Sequence, residues 1–266
     1  MVIAGFLFSL PQARACTTSL IQSTTTFGSG ATTLTAKFAS TVDSPSDKNH
    51  AIIVTGRYTI ATTTPAAILL MNASDTASDT FSSVPSGSSF PFISNGALSL
   101  VQYMFLATGV TSNVSDTVRF NVGTGNASNR IELGIYEVGC VATTSAVDAV
   151  ATSTNTTATT SIATPSITTA SSGDYLGVSV GVGLAVTAFT AGGSWTRESP
   201  ANGFGSNGRA SYEDQVNVNA GTYNPSISWT TAETWLDIIF GLRPPPTPAA
   251  SSPPPAPYCM VVESDW

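Results

Sequence analysis

Charge is scarce in this chain. Only 9% of its 266 residues are Asp, Glu, Lys or Arg, and it has one histidine, His50. Nine Lys plus Arg stand against sixteen Asp plus Glu, for a net charge of −7. Nucleic-acid recognition starts from a basic face, which this balance does not readily supply, so no nucleic-acid partner is expected. Long apolar runs are missing as well. A membrane-spanning helix needs about 20 consecutive apolar residues, and no such run occurs, so no membrane span is expected. Cysteine is limited to Cys16, Cys140 and Cys259, far apart and without zinc-ligand spacing. No transition-metal site and no cofactor is expected. Disorder is disfavoured too, because it goes with low hydrophobicity and high charge, whereas 42% of this chain is apolar.

Thr and Ser fill the gap, together exceeding a quarter of the chain. Thr and Val suit pleated, half-buried surfaces, and Gly and Ser punctuate turns. The composition therefore predicts an all-β protein whose surface is wetted by hydroxyls and amides. Period-two alternation agrees. Leu34, Ala36 and Phe38 alternate with polar neighbours, as do Val118, Phe120 and Val122. In residues 176–186, aliphatic residues alternate with Gly177, Ser179, Gly181 and Gly183. That second face is almost bare, and another backbone or a flat ligand could approach it closely. Ile52-Ile53-Val54 and residues 98–106 are continuous apolar runs, expected of strands covered on both sides. Residues 152–169 suit an edge strand, and Thr230-Thr231-Ala232-Glu233 reads as a hairpin turn. Ten to fourteen short strands and no amphipathic helix predict an antiparallel β-sandwich or jelly roll. No internal repeat of 20–50 residues is found.

The ends differ from the body. Residues 1–15 carry an apolar run and then Ala13-Arg14-Ala15, a small-x-small pattern. They read as a secretory signal peptide cut after Ala15, or as an N-terminal arm. Residues 16–243 form the sandwich domain, and the Pro-rich residues 244–266 form an extended tail. Outside the cytoplasm, Cys140 is expected to pair with Cys16 or with Cys259.

Four segments carry a resemblance. They are Leu20-Ile21-Gln22-Ser23; Ala51-Ile52-Ile53-Val54; Arg130-Ile131-Glu132 through Tyr136-Glu137 to Ser145-Ala146-Val147-Asp148; and Tyr212-Glu213-Asp214 through Gly221-Thr222-Tyr223 to Trp235-Leu236. In order and spacing, over residues 17–243, they resemble uncharacterised β-sandwich domains of secreted bacterial proteins and phage structural proteins. The chain departs from that pattern at Tyr136-Glu137-Val138-Gly139-Cys140, where the family usually has Tyr-Ser-Gly. The resemblance implies a sandwich at an extracellular or particle surface and brings no activity with it.

Candidate chemistry is thin. His50 follows Asp47-Lys48-Asn49, and no Gly-x-Ser-x-Gly elbow accompanies it, so an exposed turn histidine is expected. Glu132, Glu137, Glu213, Asp214 and Asp237 are strand-borne acids. Glu213 and Asp214 are adjacent and should point to opposite faces, so they cannot form the carboxylate pair of a polysaccharide hydrolase. Calcium is the one metal with a foothold: Asn72, Asp75 and Asp79, or Asp43 and Asp47, could supply loop oxygens. The candidate ligand site is Trp195, Tyr212, Glu213 and Asp214. The two aromatics flank the Gly/Asn-rich residues 202–208, and sugars stack on exposed rings while acids bond their hydroxyls. These readings favour a secreted, non-catalytic β-sandwich binding a glycan or polymer at a cell surface. The alternatives are a virion, pilus or filament subunit docking on other copies of itself, and then a polysaccharide hydrolase.

Overall fold

The alternating segments become strands, and the strands gather by halves of the chain. A computed structural model describes residues 16–40, 49–60, 71–88, 90–94, 99–110, 116–123, 130–162 and 165–247. The signal-peptide, Cys259, Asp43 and Asp47 readings, and the C-terminal tail beyond residue 247, fall outside these residues. Within them Cys16–Pro245 form one compact unit, all-β, with no α-helix among the described residues.

The first sheet runs β1 (Ser19–Ser29), β9 (Arg130–Gly139), β3 (His50–Ile60), β7 (Ser99–Val110). The short β5 (Ser82–Ser83) and β6 (Phe92–Ser94) pair with β7. The second sheet runs β10 (Val147–Ser161), β17 (Ser228–Leu242), β12 (Asp174–Val182), β15 (Ala210–Val218), β14 (Thr196–Arg197), with β13 (Phe189–Thr190) on β17. All these pairings are antiparallel. Each sheet is built by one half of the chain, and the two halves share a topology. In each, the first long strand pairs with the fourth, the fourth with the second, and the second with the third. The duplication is topological, at half-chain scale, beyond the reach of a search for short repeats.

The sheets pack face to face as the expected antiparallel β-sandwich. The interface is largely aromatic: Tyr136 of the first sheet stacks on Tyr212 of the second, ring centroids 3.9 Å apart, beside Phe240. Fully burying such a side chain contributes roughly 1.5–3 kcal/mol. The glycine face of β12 belongs to this interface. A methyl on Gly177 would lie 2.3 Å from the Phe240 ring and from the Tyr212 hydroxyl. Gly181 is covered by Gln102, Leu236 and Arg57, and Gln102 donates to the Ser179 hydroxyl at 2.5 Å. The side chains of neighbouring strands and the facing sheet, not a ligand, occupy the bare face.

Both outer faces are covered too. A small sheet, β2 (Thr33–Lys37), β8 (Thr117–Asn121), β4 (Asn72–Asp75), lies over the first, with Phe120 stacked 3.8 Å from Tyr103. The outer face of the second packs Val178, Val180 and Ile239 against Phe189, Trp195, Ile227 and Trp229. Double coverage explains why β3, β7, β9 and β12 are buried along nearly their whole length. A further pair, β11 (Ile167–Thr169) and β16 (Gly221–Tyr223), closes one end.

One local expectation changes. Thr230–Glu233 is not a turn but part of the 15-residue β17, where Glu233 faces Thr159 of β10. The segment lacks Gly, Asn, Asp and Pro, the residues that tight turns require. The edge-strand expectation fits the terminal position of β10. Of the two pairings left open, the disulfide formed is Cys16–Cys140. It joins the residues just before β1 and just after β9, which are sheet neighbours, and so closes the whole first half of the chain.

Candidate functional site

The aromatic platform expected at Trp195 and Tyr212 is not formed. Tyr212 is 0% exposed and Trp195 8%. Tyr212 is locked between sheets, its hydroxyl 3.1 Å from that of Tyr175. Trp195 belongs to the outer core of the second sheet. Neither ring has an open face for a sugar, because this sandwich buries both faces of the strand that carries Tyr212. His50 is also displaced from expectation. It opens a central strand and is buried, with Nδ1 2.6 Å from Glu137 Oε1. Gln22 donates to the other Glu137 oxygen at 2.6 Å. This is an enclosed polar brace, not an exposed turn.

Glu213 and Asp214 do diverge, as alternation requires. Glu213 faces outward beside Arg197; burial pushes its carboxyl up to about 7 against the pull of that guanidinium. Asp214 shares the face of Tyr212 and lines a groove of about 500 Å³ with Glu198, Ser19, Ser194, Thr196 and Gln215. The backbone sets this up. β14 pairs Thr196 with Asp214 and Arg197 with Glu213, and the Glu198 amide continues the pairing by donating to Tyr212 O at 2.9 Å. Glu198 and Asp214 both line the groove and act on each other electrostatically. Burial first, then Glu198, raises Asp214 to about 7, while Tyr175 draws it back; burial raises Glu198 as well. The groove thus offers carboxylate, hydroxyl and amide groups in one open channel, beside the aliphatic Leu20, Val216 and Val218. Glu198 was not foreseen: two-residue alternation marks it as facing the same way as Thr196, but only the β14–β15 register sets it beside Asp214.

A second cavity, of about 210 Å³, has the opposite character. Arg57 and Arg209 line it with Thr59, Thr156 and Thr234, and no carboxylate does so among the described residues. Both guanidiniums donate to the Gly183 carbonyl, at 3.1 and 3.2 Å. Behind them Glu132 accepts from Arg57 at 2.9 Å and from Asn207, with Arg130 3.5 Å away. Burial, then Arg57 and Arg130, weaken the hold of Arg209 on its proton. No sequence spacing announces this convergence.

Of the residues considered for calcium, Asp75 and Asp79 come together, while Asn72 stands at the other end of β4, opposite Asn121. The third member is Asp116, at the start of the segment that leads into β8. The ligand oxygens of the three lie within 4.8 Å of one another.

Searches of family models, curated proteins and solved structures found no match to this chain.

Proposed function

We propose that this protein is an extracellular, non-catalytic β-sandwich that binds a glycan or surface polymer in the groove beside Asp214. The observation that carries the reading is the lining itself. Carboxylates accept from sugar hydroxyls, while the hydroxyls of Ser19, Ser194 and Thr196 and the amide of Gln215 both donate and accept. The Cys16–Cys140 disulfide supports an oxidising compartment. Hydrolysis is the weaker reading of the same groove. Glycosidases present two accessible carboxyl groups across a scissile bond, whereas Asp214 is 3% exposed.

Polysaccharide pull-down and glycan-array binding test the proposal, with Ser194→Arg as the blocking variant. Ser194 is exposed and lines the groove, so the variant fills the channel without touching the core. Retention of the wild type, lost in Ser194→Arg at an unchanged melting temperature, is the expected result. Absence of retention on any polymer, or equal retention of the variant, removes the reading.

One feature favours a second reading, a filament or virion subunit. β10 is a 15-residue terminal strand whose only charged residue is Asp148, and it contains no proline. Edge strands without charge or proline are templates for pairing with another chain. The uncharged β12 face no longer contributes, since it is interior. Light scattering at high concentration decides: ordered assembly supports this reading, and a stable monomer rejects it.

A further inference from the structure

We propose that Asp75, Asp79 and Asp116 form a calcium site that clamps the small outer sheet. β4 and β8 pair antiparallel. Their register sets Asp75 opposite Val118, so the residue after β4 and the residues before β8 meet. Thr76 donates from its amide to Thr117 O at 3.2 Å, and the Thr117 amide donates back to Thr76 Oγ1 at 3.1 Å. Thr76 also holds one oxygen of Asp116. Its amide and its hydroxyl donate to Asp116 Oδ1 at 3.2 and 2.5 Å. The Phe38 amide donates to the Asp116 carbonyl at 3.0 Å and pins the backbone to the β2 side. The loop after β4 then returns, with the Asp79 amide donating to Asp75 Oδ1 at 2.9 Å.

The other oxygens are what point to an ion. Asp116 is 0% exposed, and its Oδ2 is buried without a donor. Asp75 Oδ2 and Asp79 Oδ2 are buried and without donors as well. Among the described residues, no Lys or Arg forms an ion pair with any of the three. Burying carboxylates without a cation or donors is costly. A bound cation removes that cost. The donor set is entirely oxygen, with no histidine or thiolate, which selects a hard cation. Calcium accepts irregular sets of six to eight oxygens completed by water, whereas magnesium demands a near-ideal octahedron. Extracellular calcium modules work at Kd values on the order of 10⁻⁴–10⁻³ M. The ion would tie the loop after β4 to the entry of β8, and so hold the outer sheet over Tyr103.

The test is calcium titration of the chelator-treated full chain by isothermal calorimetry, with thermal melts in CaCl2, MgCl2 and NaCl at matched ionic strength. Saturable calcium heat and a melting temperature raised by several degrees are expected. Asp116→Asn and Asp79→Asn should abolish both responses. Because these changes also relieve repulsion, each variant should melt no lower than the chelated wild type. Asp79→Asn, on the loop, keeps the test open if Asp116→Asn does not fold. The proposal is overturned by the absence of saturable calcium heat up to 10 mM, by an equal response to magnesium or to salt alone, or by wild-type affinity in the Asp79→Asn variant. Glycan retention is not part of the readout, so this result and that of the groove are independent.

Discussion

Asp174→Asn should raise stability modestly at pH 5 and by more at pH 8. Asp174 opens β12 and is fully buried. It lies beside Asp148, a carboxylate that is already committed. Burial works to raise Asp148, but the amides of Ala170 and Ser171, at 2.7 and 3.2 Å, together with Asp174 and Arg243, outweigh it and hold it below its ordinary range. Arg243 donates to it at 2.5 Å. Asp148 therefore keeps its charge and Asp174 keeps a proton. Burial first, then Asp148, pushes Asp174 from 3.8 up to about 7. In this acid the folded state holds a proton that the unfolded chain has released. Its contribution is fully present below pH 3.8, falls as pH rises, and is lost above about 7. At 1.36 kcal/mol per pH unit, the full window is worth about 4 kcal/mol. Asparagine reproduces the protonated acid and does not titrate. Thermal and urea unfolding from pH 4.5 to 8.5 should show the variant about 1.6 kcal/mol more stable than wild type at pH 5, which lies about 1.2 pH units above the ordinary value of 3.8. It should be more stable by up to about 4 kcal/mol at pH 8. In a domain of this size each kcal/mol moves the melting temperature by about 2–4 °C. Glu213 and Asp214, raised to about 7, and Asp237, raised to about 6, act in the same direction. Wild-type stability should therefore decline from pH 5 to pH 8. A rise over that range, or an Asp174→Asn effect that does not vary with pH, would refute the reasoning.

Other interior positions make separate predictions. Glu132→Ala strands Arg57, itself 1% exposed, and should cost about 3–5 kcal/mol in urea denaturation. Gly177→Ala places a methyl against Phe240 and Tyr212 and should cost about 1–3 kcal/mol, with altered near-ultraviolet circular dichroism from the displaced rings. Cys140→Ser opens a loop spanning 124 positions and should cost about 4 kcal/mol; a midpoint equal to that of the oxidised wild type would show that the bridge does not form.

Local pattern was enough for the class of fold. Alternation at Val118, Phe120 and Val122 places those residues inside at 0% exposure, because side chains of a strand leave on opposite faces whatever the partner. The same rule separates Glu213 from Asp214. It could not say what covers each face. The bare side of β12 read as open until Phe240, Gln102 and Arg57 were seen to fill it, and His50 read as exposed until Glu137 stood beside it. Trp195 and Tyr212 failed as a platform for the same reason.

What the amino-acid order determined on its own was therefore the period, the strand-rich class and the scarcity of proton-handling groups, since each is a property of neighbours along the chain. Tertiary structure alone decided that each half of the chain makes its own sheet. It also decided that Asp116 meets Asp75, that Glu198 meets Asp214, and that Arg57 meets Arg209. Those encounters depend on strand register and sheet stacking. Both are settled by which distant faces bury best together, and a shift of one residue would turn strand residues such as Asp214 and Arg57 to the opposite side.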